Sequence, residues 1–435
     1  MTLSALRAAL KDGSYDKAFA SLYGKTGADA AKVRYLAAVD SFETLYGNAL
    51  DENADVRLFS VPGRSEISGN HTDHNHGKVL AASISLDIIA VAAKTAKSEI
   101  RIQSEGFPED TVTLDDVKTV RADEKYKASA IIRGMADGFG KNGFAVGGYL
   151  AYTTSNVLKG SGLSSSAAFE VMVGNMLNHF YNDGRVDAVT IAKIAQYAEN
   201  VHFGKPCGLM DQTACAVGGF VAIDFFDPAQ PVVEKLPFDL DAAGLSLCIV
   251  NTGGNHADLN EDYASVPADM KKTAAFLGVP VLAETTKEKL LENASKIREK
   301  LGDRAFLRSL HFFNENIRVE KQRKALEAGD LDRFLSGVRG SGLSSSIYLQ
   351  NVYTTKNVDE QGLTVALSLA GEVLDGVPHS AYRVHGGGFA GTVQAFVPKE
   401  KVPAFIACEE AVFGAGSVYV LAVRPYGAVA LDTLA

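Results

Sequence analysis

The chain has 435 residues, 46% hydrophobic and 22% charged, with a formal net charge of -9. That length allows two or three domains with cores of their own, so folding needs no disulfide or metal staple. The acidic balance argues against a nucleic-acid partner, which draws on surplus Lys and Arg. No run of about 18 apolar residues is present to span a membrane.

The first 55 residues are Ala-rich and read as short helices, an appended helical segment before the first strand. Their opening, MTLSALRAALKDGSYDK, lacks the apolar stretch of a secretory signal. From Val56 the pattern turns to strands: VRLFSVPGR, KVLAASISLDIIAVAAK, EIRIQSEG and DTVTLDD. A helix is expected over Ala128–Phe139. A second region begins near Gly219, with strands in FVAIDFF and SLCIVNTGG. Residues 264–336 read as helical and charged, and strands return in SAYRVHGGGFAGTVQAFVPK and SVYVLAV. This irregular mixture predicts an α+β fold rather than a repeating βαβ one. Cys207, Cys215, Cys248 and Cys408 form no CxxC pair, so a reducing, cytoplasmic setting is expected.

The heptapeptide GSGLSSS occurs twice, at Gly160–Ser166 and Gly340–Ser346. The first copy follows a strand-like segment, FAVGGYLAYTTSNV. It precedes a helical face formed by Phe169, Met172, Val173, Met176, Leu177 and Phe180. Strand, glycine loop and helix N-terminus together make a phosphate cradle, because free N–H groups and the helix dipole favour negative charge. The second copy follows a helical pattern without a long amphipathic helix after it, and reads as a polar helix-to-helix loop. Gly386, Gly388 and Gly391 satisfy GxGxxG, but a strand follows where a dinucleotide site needs a helix.

PGRSEISGNHTDHNHG, residues 62–77, crowds Asn70, His71, Asp73, His74 and His76 together. Three readings fit: a loop of donors and acceptors for sugar hydroxyls, a metal site, or a solvated turn. In AENVHFGKPCGLMDQTACAVGG, residues 198–219, Glu199 ends an amphipathic helix. Asp211 falls where a new helix starts, a position that suits a carboxylate or a simple cap.

Together these segments resemble the galactokinase branch of the GHMP small-molecule kinases. PGRSEISGNHTDHNHG is similar to the signature GRxNxxGEHxDYxxG, GSGLSSSAA to the phosphate loop, and VHGGGFAG to the C-terminal glycine motif. PCGLMDQ and NTGGNHADLNEDY resemble further galactokinase stretches, and the likeness spans roughly residues 56–425. It implies two α+β lobes with the active site in the cleft between them. The N-terminal lobe, residues 56–220, would be ribosomal-protein S5 domain 2-like. Residues 221–435 would form the C-terminal GHMP lobe.

The implied reaction is ATP-dependent phosphorylation of the anomeric hydroxyl of galactose. By the same resemblance Asp211 is the catalytic carboxylate and Arg64 stabilises the transferring phosphoryl group. Gly160, Ser161, Gly162, Leu163, Ser164, Ser165 and Ser166 wrap the nucleotide phosphates. Ser166 and Glu199 are the implied Mg²⁺ ligands. Asn70, His71, Asp73, Gly208 and Tyr263 are implied to line the sugar site. The expected partners are sugar and ATP, without nucleic acid or membrane, on a monomer or weak homo-oligomer.

Four departures stand out. Asn70 replaces the family glutamate, Glu66 replaces the family asparagine, and His74 replaces a tyrosine. Lys159 precedes the phosphate loop where an apolar residue is common. A kinase for N-acetylgalactosamine, arabinose or a uronic acid is the alternative that Asn70 motivates. A non-catalytic sugar and ATP sensor is the alternative outside enzymes, and a metal-dependent hydrolase using the histidines is the remote one.

Overall fold

The computed structural model describes the chain except residues 158–161, 255–258 and 435, and the side chains of Lys25 and Thr26. Its strands are β1 (Val56–Ser68), β2 (Lys78–Lys94), β3 (Glu99–Ser104), β4 (Asp110–Thr113), β5 (Tyr149–Ser155), β6 (Phe220–Asp224), β7 (Val232–Leu236), β8 (Leu245–Asn251), β9 (Ala381–His385), β10 (Thr392–Pro398), β11 (Val418–Leu421) and β12 (Val429–Ala430). The first sheet runs β12-β1-β2-β5-β3-β4, with β6 also on β2 and β7 on β6. The second is an antiparallel sheet, β11-β8-β10-β9. Each sheet carries helices, so the fold is α+β with two lobes. β7 and β12 are short strands that hydropathy alone did not signal.

β2 is long because it serves two partners. Its first half pairs with β6 and its second half with β5. The second half, DIIAVAA, shows no polar alternation, which marks burial on both faces. Ile88, Ala90 and Ala92 face the core shared with the helices Ala128–Lys141 and Ser165–Tyr181. Ile89, Val91 and Ala93 face the other way, onto Leu6, Leu10, Phe19, Tyr35 and Phe42. Residues 1–55 thus form a second layer over the sheet. They fold as Leu3–Asp12 and Asp16–Tyr46, the latter kinked where Gly24 takes φ 71°.

One buried charge ties this layer to the rest. Asp87 on β2 is fully buried. It accepts hydrogen bonds from Arg34 Nη1 at 2.5 Å, Tyr23 Oη at 2.6 Å, Arg424 Nη1 at 3.2 Å and the Ser60 hydroxyl. Arg34 and Tyr23 come from the second helix, Ser60 from β1 and Arg424 from the segment after β11.

The second copy of GSGLSSS is not the predicted loop. It closes the helix Leu331–Ser344 and enters a wider helical turn, Ser345–Leu349. The buried face Phe334, Leu335 and Val338 continues into it through Ser341 and Gly342. A Cβ on Gly342 would lie 2.8 Å from Arg383 Cβ, so the small residue allows β9 to approach. Among the described residues no helix is long and apolar enough to cross a membrane.

Removing one partner of a buried ion pair strands the other charge, at about 3–5 kcal/mol. Asp87 keeps Arg34 as a cation partner, so Arg424→Leu is expected to lower the unfolding free energy in urea by less than that, about 1–3 kcal/mol for the acceptors left unmet, with a matching fall in midpoint. Arg185→Ala, which breaks the exposed pair with Asp183, should cost under about 1 kcal/mol. Equal midpoints for the two variants would contradict this assignment.

Candidate active site

β1 delivers the first functional side chains. Residues two apart on a strand share a face, so Arg64 and Glu66 point one way and Ser65 the other, toward His385 Nε2 at 3.1 Å. The β1–β2 register shifts on either side, between Pro62 and Arg64 and between Glu66 and Ser68. Such bulges re-aim side chains, and the first accommodates Pro62, which has no N–H to donate. A Cβ on Gly63 would stand 2.7 Å from the Leu163 carbonyl oxygen, so only glycine lets the phosphate loop lie over the strand.

Arg64 joins three parts of the site. Its backbone N–H donates to the Leu163 carbonyl at 3.1 Å. Its guanidinium donates to the Gly162 carbonyl and, through Nε, to Asp211 Oδ1 at 2.8 Å. Burial works against the Arg64 charge, but Asp211 outweighs it and the pKa is raised. Asp211 lies in the first turn of the helix Met210–Val217. Its other oxygen accepts from Ser164 Oγ at 2.5 Å. Ser164 holds φ 59°, a left-handed conformation at the mouth of the helix Ser165–Tyr181. Asp211 keeps 35% side-chain exposure against 8% for Arg64, so the carboxylate is the accessible partner. Gly160 and Ser161, with Lys159, lie outside the described residues.

On one side of this pair opens a cavity of about 610 Å³. Its walls include Ile88, Phe107, Val157, Phe169 and Phe203, with Ser165, Ser166, Glu170 and Glu199 at the polar end. Glu199 sits in the π-helical turn Ala198–Phe203. Gln212 Nε2 donates to Glu199 Oε2 and to Glu170 Oε2, both at 3.0 Å. Glu170 Oε1 is buried without a partner. Burial, then the charge of Glu199, pushes the Glu170 carboxyl well above its ordinary range. Glu170 is absent from the predicted set. Its signal is a lone acid inside an otherwise apolar helix, four residues after Ser166. Ser166 and Glu199 offer a hydroxyl and a carboxylate at this end of the cavity, oxygen donors of the type Mg²⁺ takes.

On the other side lies a cavity of about 250 Å³, lined by Arg64, Glu66, Asn70, His71, Asp73, Gly208 and Asp211 with Gly386 and Gly387. A Cβ on Gly208 would meet Asp73 Oδ2 at 2.3 Å, so glycine leaves room for that carboxylate. His71 adopts φ 59° and donates from Nε2 to the Gly387 carbonyl at 2.9 Å. Burial pulls its pKa down to about 4, so at neutral pH the ring is a neutral donor. Burial pushes the Glu66 carboxyl up, against the pull of Arg383 and Arg64. Tyr263 is not on the cavity wall. It stands behind the glycine turn, donating to the Gly388 carbonyl at 3.1 Å and packing edge-on to Phe389. Among the described residues no three His, Cys, Asp or Glu side chains gather to hold a metal, so His71, His74 and His76 do not form the metal cluster considered above.

Two family models match the segments that build this site. The GHMP kinases N terminal domain matches residues 127–219 and the galactokinase galactose-binding signature matches residues 40–94. A galactokinase of Streptomyces coelicolor is 31% identical over 384 residues, 87% of this chain and 93% of the relative. The chain belongs to the galactokinase family of GHMP kinases. A second family member, from Streptomyces lividans, is 32% identical over 360 residues, 82% of this chain and 85% of its own. The fold agrees: the crystal structure of Lactococcus lactis galactokinase with galactose superposes with a TM-score of 0.73 at 23% identity, covering 90% of this chain and 99% of that one.

The family histidine also makes a stability prediction. His71 is neutral in the fold to about pH 4 but gains a proton near pH 6.5 when unfolded. Its contribution is therefore complete above pH 6.5 and declines as pH falls toward 4. Between pH 6.5 and 5 that is a loss of about 2 kcal/mol. Thermal melts across this range should fall more steeply for the wild type than for His71→Gln. Parallel slopes would contradict it.

Proposed function

We propose that the protein transfers the γ-phosphoryl group of ATP to the anomeric hydroxyl of galactose, giving galactose 1-phosphate and ADP. The observation that carries this reading is the Arg64–Asp211 pair. One guanidinium holds Asp211 at the small polar cavity and the Gly162 carbonyl of the phosphate loop at the same time. A sugar in the small cavity and a nucleotide in the large one would meet at this pair. The C1 oxygen attacks the γ-phosphorus, the bond to the ADP oxygen breaks, and the hydroxyl proton passes to Asp211. Little covalent work is asked of the protein, because phosphoryl transfer depends on positioning and charge neutralisation. Arg64 and the free N–H groups of the loop and helix start supply such neutralisation.

In this reading Ser166 and Glu199 hold Mg²⁺, which when bound supplies further charge neutralisation at the phosphates. Asp73, His71 and Gly208 line the sugar pocket, and the aliphatic and aromatic walls of the large cavity take the adenine. The cavity supplies such walls although the chain has no Trp. The enzyme is expected to work in the cytoplasm as a monomer or weak homo-oligomer. A kinase for a different sugar is the second reading, favoured by Asn70 standing where the family has glutamate. The sensor reading is opposed by the intact Arg64–Asp211 pair.

ADP release from Mg-ATP should be fastest with galactose in a panel including N-acetylgalactosamine, arabinose and a uronic acid, with phosphate on O1 of the product. Turnover on another member instead would move the conclusion to the second reading. Removing a general base typically costs about 10²–10⁴-fold. Asp211→Asn should lose at least that in kcat while still folded at the assay temperature, its melting temperature lowered because the buried Arg64 keeps a hydrogen bond but loses its counter-ion. Near-normal turnover would remove Asp211 from the chemistry.

A further inference from the structure

We propose that Glu66, not Asn70, supplies the carboxylate that reads a sugar hydroxyl remote from the anomeric carbon. The proposal rests on the sugar-kinase reading and names the residue that sets its specificity. Relative to the family pattern GRxNxxGEH, this chain has exchanged two residues: Glu66 stands at the asparagine position and Asn70 at the glutamate position.

The structure accounts for both halves of the exchange. A primary amide has two N–H donors and one oxygen with two lone pairs. In Asn70 all four are used internally. Nδ2 donates to Glu66 Oε1 at 2.9 Å and to the Gly386 carbonyl at 2.6 Å. Oδ1 accepts from Asn351 Nδ2 at 2.8 Å and from Ser345 Oγ at 3.3 Å. Asn70 has no polar capacity left for a ligand.

Glu66 is in the opposite condition. Its Oε1 accepts from Asn70 and from Arg383 Nη2 at 3.1 Å, which fixes the carboxyl plane. Its Oε2 has no partner among the described residues and is not among the buried unpartnered atoms. The residue lines the small cavity beside Arg64 and Asp211. Glu66 and Asp211 both line this one cavity of about 250 Å³, so a sugar bound there with its C1 hydroxyl at Asp211 turns its remaining hydroxyls to the other lining residues, Glu66 among them. A carboxylate oxygen with free lone pairs takes such a donor.

The test uses the full-length enzyme with galactose and its 2-, 3-, 4- and 6-deoxy analogues. ADP release gives kcat/KM, and calorimetry without ATP gives sugar affinity. Glu66→Gln should lower kcat/KM for galactose by about 10- to 100-fold, mostly through KM, as expected for losing a hydrogen bond to a charged group. For one deoxy sugar, the one lacking the hydroxyl that Glu66 reads, variant and wild type should agree within about twofold. A loss of equal size on every sugar, or no loss, would overturn the proposal, since a purely structural role through Arg64 or Arg383 would not single out one hydroxyl. If Glu66→Gln melts early, Glu66→Asp keeps the charge on Arg383 and should show the same selective loss. Wild-type protein that binds galactose with this pattern but releases no ADP would overturn the transfer reading and sustain Glu66. Normal turnover with an unselective loss would do the reverse, and absence of galactose binding would overturn both.

Discussion

A buried guanidinium is tolerated only where its charge and its N–H groups are met. Arg64 meets that condition with atoms from two other segments, Asp211 and the Gly162 carbonyl. The constraint works in both directions. The phosphate loop can lie over β1 only because Gly63 has no side chain to strike Leu163. Asp211 is oriented because Arg64 takes one oxygen and Ser164 the other. Two stretches lying 98 and 147 residues further along the sequence are thus held to β1 by one side chain.

The duplicated heptapeptide shows how far such a local reading carries. The described part of the first copy, Gly162–Ser166, enters the helix Ser165–Tyr181, which its flanks predict. The second has the same seven residues and is helical. Nothing within the seven decides between them. The preceding buried face Phe334, Leu335 and Val338 carries the helix forward, and Arg383 rewards the glycine that lets it approach. Tertiary packing overrides the weak helix propensity of Gly and Ser. The copy still contributes: Ser344 bonds the His311 ring and Ser345 bonds Asn70. It braces Asn70, and with it the small cavity, from behind.

What was legible followed from pattern. Strands with strong β-branched runs, the helix after the phosphate loop and the order of the motifs were readable because each is a local signal. Arg64, Asp211, Asn70, His71, Asp73 and Gly208 line one small cavity, and Glu199 lines the larger one. Glu170 escaped because its meaning depends on Gln212 and Glu199, which reach it only in three dimensions. Tyr263 lies behind a glycine turn that sequence cannot place. The direction of the Asn70 amide was equally hidden, since its partners Ser345, Asn351 and Gly386 come from the far half of the chain.

Residues 1–55 gain a purpose from the same reasoning. The strand before the phosphate loop, β5, ends at Ser155, and Asn156 exchanges hydrogen bonds with the Asp87 backbone. Arg34 from the N-terminal helices bonds the Thr154 carbonyl, the Asp87 carbonyl and the Asp87 carboxylate together. The root of the loop is therefore pinned by a charge network rather than by the sheet alone. Misplacing reacting groups by about 1 Å can cost roughly 10²-fold in rate. The end of β5 has a fixed base in Arg34, Asp87 and Asn156. The helical layer covers the back of the sheet whose front carries the helix Ser165–Tyr181, and that helix opens onto the large cavity.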